Sequence, residues 1–309
     1  MTQNQYMIEG QDGLSWPRWQ RLLRTAEDCG YQSVFRSDHF TNADGADKDS
    51  LELWVSLAYA ATHTNTLEFG PLVAPITFRH PSMNARYAAG IDDLSGGRLV
   101  LGMGAGWQDR EHRKFGIPFY DFSTRYRMLE EALELTRLLL RNDAPSDFAG
   151  DFYQLEDAIL LPRPARPGGP PVLIGGNGPR KTLPLVAKYA DEWNAVYIDL
   201  PTYRARRALL AEYLAAEGRA ADDMKYSLMT RVIYRPTQAQ LDACLHESGI
   251  SDEARREGKM IIGAAAEVID QISERVDAGV ERFMLQWVEL DDMENLELLA
   301  RDVLPAITI

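Results

Sequence analysis

Eight short apolar runs, most of them followed by a helix-like stretch, constrain this 309-residue chain more than any single motif does. The runs lie at residues 6–9, 33–36, 67–73, 98–101, 172–174, 193–197, 226–233 and 282–288. Between them, apolar positions recur at helical spacing. Trp19, Leu22, Leu23 and Ala26 share one face of a helix over 16–29, with Gly30 as its stop. Pro81 opens a helix over 81–94 as a first-turn proline, and Ser123 is expected to cap a long one over 123–140. Further helices are expected over 51–63, 201–217, 238–247, 264–278 and 293–303, with another ending near Tyr189. Strict alternation of this kind implies a parallel sheet. Eight units close naturally into a TIM (β/α)8 barrel, the fold expected here; an open doubly wound sheet is the alternative. The pattern breaks only over 142–171, which ends in the Pro- and Gly-rich run 162–171. It is too long for an ordinary connection and reads as an insertion, a lid at the C-terminal face of one barrel domain spanning 1–309.

In such a barrel, chemistry sits at the C-terminal ends of the strands. The stretch Gly102-Met103-Gly104-Ala105-Gly106-Trp107 follows the fourth run. Its alternating glycines leave one face without side chains. A flat ligand lying on bare backbone, with Trp107 at its edge, would use that face; so would a closely packed neighbouring strand. The dinucleotide fingerprint fails in both registers, because its third glycine would fall on Trp107 or Asp109. Gly175-Gly176-Asn177-Gly178 joins a strand to a helix start, where free amides and the helix dipole make an anion site, with Arg180 and Lys181 adding charge. A tight turn that needs glycine for its geometry explains the same residues. A P-loop is excluded, since the Lys-Ser/Thr pair is missing. His39, beside Asp38 at the end of the second run, can exchange protons near neutral pH. Arg79-His80 and Glu111-His112 are polar pairs near other strand exits, and His112 reads as structural. No three of the five histidines show ligand spacing with carboxylates, so no metal is expected.

A net charge of −13 argues against nucleic acid or an anionic membrane as partner, while a local basic pocket still allows an anionic cofactor. Cys29 and Cys244 read as isolated small hydrophobes, and neither a signal peptide nor a membrane span is read, so a cytoplasmic location is expected.

These residues resemble those of the luciferase-like flavin-dependent oxidoreductases, and are especially similar to the branch that uses the deazaflavin coenzyme F420. The matching segments are Ser37-Asp38-His39-Phe40, Phe78-Arg79-His80-Pro81, Leu94-Ser95-Gly96-Gly97-Arg98, Gly104-Ala105-Gly106-Trp107, Glu111-His112 with Phe115-Gly116-Ile117-Pro118, the stretch 171–178, and Tyr189-Ala190-Asp191-Glu192-Trp193-Asn194. The resemblance implies a barrel with the cofactor ring at the strand ends, its phosphate on Gly175, Gly176, Asn177 and Gly178 with Arg180 nearby, and a non-proline cis peptide at Leu72–Val73. Asp38, Leu72, Val73, Gly104, Ala105 and Gly106 would contact the cofactor, with His39 and Trp107 at the reacting edge. Family dehydrogenases carry a Trp shortly after the histidine and a Glu directly after Gly-x-Gly; here those places hold Asp44 and Trp107. The expected activity is hydride transfer between coenzyme F420 and a small organic substrate. One alternative is an FMN-dependent monooxygenase fed by a separate reductase, and another is a flavin-binding barrel without turnover. A homodimer is implied. Phe40, Trp107, Tyr197, Trp287 and the expected lid suggest an apolar or aromatic substrate.

Overall fold

The computed structural model describes residues 3–307, with side chains from residue 6 onward. Among the described residues, eight parallel strands form the barrel: β1 (Gln3–Ile8), β2 (Ser33–Arg36), β3 (Glu68–Pro71), β4 (Leu101–Gly104), β5 (Val172–Gly175), β6 (Glu192–Val196), β7 (Lys225–Tyr234) and β8 (Arg282–Gln286), and two short steps, Ala74–Pro75 and Ile261–Gly263, complete a ten-stranded sheet. Their spatial order is β3-β2-β1-β8-β7-β6-β5-β4. The remaining seam closes between β3 and β4. There Phe69 bridges Leu99, and the short step Ala74–Pro75 pairs with Met103 and Gly104. The open doubly wound sheet is thereby excluded, and the fold is the TIM barrel. Around it run α1 (Trp16–Asp28), α2 (Leu53–His63), α3 (Pro81–Ser95), α4 (Asp109–Phe115), α5 (Phe122–Arg141), α6 (Thr182–Tyr189), α7 (Leu200–Ala216), α8 (Gln238–Glu247), α9 (Asp252–Arg256), α10 (Ala265–Asp277) and α11 (Met293–Ile307).

Inward-pointing residues stack in layers, because every second residue of a strand faces the barrel axis. At the floor, Arg282 of β8 is buried in ion pairs with Glu192 of β6 and Glu68 of β3, the former at 3.1 Å. Above it Phe35, Val100, Leu173 and Met284 fill the interior. Met7, Leu72 and Met229 top this layer and form the base of a cavity.

Two local expectations change. The fourth strand lies over 101–104 rather than 98–101, so Gly102 and Gly104 sit inside the strand and not in an exit loop. A Cβ on Gly102 would come within 2.1 Å of the Pro71 carbonyl oxygen, and one on Gly104 within 2.4 Å of Val73. The alternating glycines thus admit a neighbouring strand and a valine side chain. Gly102 and Gly104 are thereby covered, whereas Gly106, at φ +72°, lines the cavity. The long helix begins at Phe122, with Asp121 as its cap: the carboxylate accepts from the Ser123 and Thr124 amides at 2.9 and 3.1 Å, which displaces Ser123 from that role.

Among the described residues, none of the 142–171 segment lines the cavity. It enters after α5 and carries an antiparallel hairpin, Ser146–Ala149 with Gln154–Ala158. Glu131 of α5 accepts the Asp151 and Phe152 amides, each at 2.9 Å, Arg127 lies over Phe152, and Tyr153 meets His80 edge-on. The hairpin is a clasp on the outer flank of α3 and α5, and none of its residues lines the cavity. The insertions that do rise from the C-terminal ends of the strands are the α4 region after β4 and residues 235–263 after β7.

Candidate active site

A cavity of about 420 Å³ opens at the C-terminal ends of the strands. His39, which follows β2, lines it, and its Nδ1 lies 2.9 Å from Oε1 of Glu111 on α4. The other Glu111 oxygen accepts the Phe40 amide at 2.9 Å. This fixes the imidazole and, among the described residues, leaves its Nε2 without a partner at the cavity. Burial pushes the His39 pKa down, but the hydrogen bond and charge of the buried Glu111 outweigh it, and the net direction is up. Trp107 packs edge-on against His39, with ring centroids 5.5 Å apart, and is 64% exposed at the rim.

The Leu72–Val73 peptide is cis, and both residues line the cavity wall. Opposite, Gly175 and Gly176 line it at the end of β5. Gly176 has φ +121°, a conformation suited to glycine. Asn177 does not line the cavity. Its side chain is committed to β6, donating to the Val196 carbonyl at 2.6 Å and accepting the Val196 amide at 3.0 Å. Among the described residues, the backbone amides of Asn177 and Gly178 have no acceptor, and they precede α6, whose positive dipole end lies there. Arg180 lies in a separate outer groove with Lys181 and Lys188.

Asp38, Gly104 and Ala105 also stand outside the cavity lining. Asp38 is buried and paired with Arg79 at 2.5 Å, which in turn binds Glu52 at 2.7 Å; burial raises its carboxyl pKa against the pull of Arg79. Val73 fills the space beside Gly104. Of the four expected aromatics only Trp107 and Tyr197 reach the cavity. Phe40 stacks on Phe78 at 4.3 Å, and Trp287 is buried, donating to the Glu289 carbonyl. His112 is structural, bound to the Gln108 carbonyl and to Thr77, each at 2.7 Å.

Several lining residues carry no local sequence signal. Glu9 accepts from Gln286 at 2.6 Å and from Gln11 at 2.9 Å, Tyr197 donates to Gln286, and Ser37 donates to Gln11 at 2.7 Å. Together they make a continuous polar band around the mouth. Deeper, Asn194 of β6 is fully buried; its amide nitrogen donates to Ser227 at 3.0 Å, while its Oδ1 has no partner and the residue borders the cavity. The inward face of β6 was the available signal for Asn194, once the strand's register in the barrel is known.

Comparison with known proteins agrees with this architecture. The family model of luciferase-like monooxygenases matches residues 1–250. An F420-dependent glucose-6-phosphate dehydrogenase of Intrasporangium calvum is 27% identical over 320 residues, covering 91% of this chain and 92% of that protein. An FMNH2-dependent dimethylsulfone monooxygenase of Pseudomonas putida is 28% identical over 227 residues, covering 74% and 61%. Among solved structures, an F420-dependent secondary alcohol dehydrogenase in complex with an F420–acetone adduct superimposes with a TM-score of 0.87 at 20% identity, covering 100% of this chain and 99% of that one, a likeness of fold. With a family model spanning most of its length, the chain belongs to the luciferase-like monooxygenase family.

Proposed function

We propose that this chain is an oxidoreductase that holds coenzyme F420 and passes hydride between it and a small organic substrate. The carrying observation is the His39–Glu111 pair, which presents an unpartnered ring nitrogen to a cavity bordered by a cradle for a phosphorylated ring. The residues fit such a group. The Asn194 Oδ1 is a buried acceptor without a donor, the Asn177 and Gly178 amides are free at a helix start, and Gly176 leaves room in the turn. When bound, the deazaflavin supplies the hydride chemistry, while the protein orients it and excludes water. Gly175, Gly176 and the amides of Asn177 and Gly178 would hold it, with Leu72 and Val73 as the wall behind. His39 Nε2 gives a proton to, or takes one from, the substrate oxygen as hydride moves. Glu111 keeps the ring oriented and favours its charged form. The similarity to an F420-dependent dehydrogenase over nine-tenths of the chain supports this reading.

A second reading, an FMN-dependent monooxygenase served by a separate reductase, is supported by the similarity to the dimethylsulfone enzyme. Parallel titration of the purified chain with F420 and FMN, read by fluorescence, decides between them. Tight binding of F420 alone supports hydride transfer, tight binding of FMN alone moves the assignment to the monooxygenase, and binding of neither rejects both. His39→Ala is expected to lower kcat by about 10²–10⁴-fold with cofactor affinity nearly unchanged, as loss of a general acid–base does. Equal loss of both would make the residue structural.

We also infer a cytoplasmic homodimer. Val55 of α2 and Met83 and Tyr87 of α3 are exposed large apolar residues on adjoining helices, and a second copy would cover them. A mass measured in solution at half the dimer value would overturn that.

A further inference from the structure

Arg231 stands two residues beyond Met229 on β7 and is paired in register with Gln286, both of which line the cavity. Alternation along the strand therefore turns it toward the barrel axis, one step nearer the mouth. It is half-buried, and among the described residues its guanidinium has no hydrogen-bond or ion-pair partner; Nε is buried without an acceptor. The Nε atoms of Arg21, Arg207 and Arg275 are likewise without an acceptor, but each of those guanidinium groups has another hydrogen bond. The Arg98 guanidinium makes five hydrogen bonds, Arg79 has two carboxylates, and Arg235 pairs with Glu289 at 2.5 Å. Leaving even one buried donor of a charged group unsatisfied is costly and needs a reason.

The surroundings of Arg231 indicate what would satisfy it. Its charge acts on the Tyr197 phenol at the end of β6, whose pKa burial pushes up to about 12 while Arg231 pulls it down. It acts as well on Asp12, after β1, and on Cys244 of α8. Arg231 is not itself among the cavity-lining residues; its register beside Gln286 places it on the inward face of β7, just beyond the lining residue Met229. A planar guanidinium matches a carboxylate in a two-bonded fork. Glu9, which lines the cavity, opposes a second negative charge there.

We propose that Arg231 is a specificity-determining residue that binds the carboxylate of a monoanionic organic substrate. The substrate's apolar body lies along Met229 and Tyr197, and its reacting carbon is directed toward His39. This rests on the oxidoreductase reading and adds to it a substrate class. The chain then selects acids over neutral molecules of the same shape, and the expected apolar or aromatic body acquires a fixed end.

The test uses ligand-detected NMR on the full chain with a panel of aryl and alkyl carboxylates, the matching primary amides and the matching phosphate monoesters. The acids are expected to bind at least about tenfold more tightly than their amides, and Arg231→Gln to remove that preference while melting temperature and cofactor affinity stay as in wild type. Arg231→Lys should restore part of it. Acids and amides binding alike, no acid binding at all, or an unchanged preference in Arg231→Gln would each overturn the proposal. Phosphate esters binding more tightly than the acids would overturn the monoanion. The F420 and FMN titration is a separate readout. If it fails while the acids still bind through Arg231, the oxidoreductase reading falls and the anion site stands.

Discussion

His39 lies between two opposed influences. Burial favours the neutral imidazole, and Glu111 favours the charged one and prevails. A group whose folded pKa is raised contributes stability that is fully present below its ordinary value and is lost as pH rises through the raised one. Glu111→Gln removes the charge and leaves the burial, so the His39 pKa should drop below the ordinary histidine value, as a proton NMR titration of the ring would show. The same variant should lose melting temperature chiefly at acidic pH, and its rate profile should shift to lower pH. An unmoved profile would separate His39 from the chemistry. At this scale His39 and the glycine turn were legible as strand-end residues, while the cis peptide found at Leu72–Val73 was reached only through the family resemblance. Glu111 stood four residues from Trp107, but its role was hidden because it depends on the short helix α4 carrying it back to His39. Arg231 and Gln286 were hidden for a related reason. Which face of a barrel strand looks inward depends on the stagger of all eight strands, which no local window contains.

Among the elements, β4 shows how packing can decide between two readings that the sequence leaves equal. The glycines of 102–104 suit a bare ligand platform and a close neighbour alike, and the Pro71 carbonyl beside Gly102 selects the second. Gly102→Ala must displace backbone rather than a flexible side chain. A loss of about 3 kcal/mol, the upper range for overpacking, is expected in denaturant unfolding. A loss near zero would show that β3 can yield. The shifted boundary of this strand has the same origin. An apolar run marks where side chains are buried, whereas a strand continues through glycines wherever its ladder is paired. The seventh and eighth strands were legible because their apolar residues outlast their turns. The hairpin of 146–158 was not, since its exposed polar residues have no core-facing alternation.

At the scale of the whole molecule, the barrel is tied at its floor by charge. Arg282 is 1% exposed and joins β8 to Glu192 of β6 and Glu68 of β3 across the interior. Arg282→Met would leave Glu192 buried without its partner and should cost about 3–5 kcal/mol. Replacing Arg282 and Glu192 together by apolar residues should recover much of it, and calorimetry on the two variants would show whether it does. The outer hairpin is organised differently, with Glu131 of α5 accepting its backbone and Tyr153 meeting His80 before α3. The hairpin of this long connection thus stands on the flank, apart from the residues that line the cavity. Its tip at Gly150-Asp151 is a place to graft a foreign loop or fuse a delivery domain while the route by which substrate enters and leaves stays as it is, so a chimaera joined there should keep the turnover of the parent.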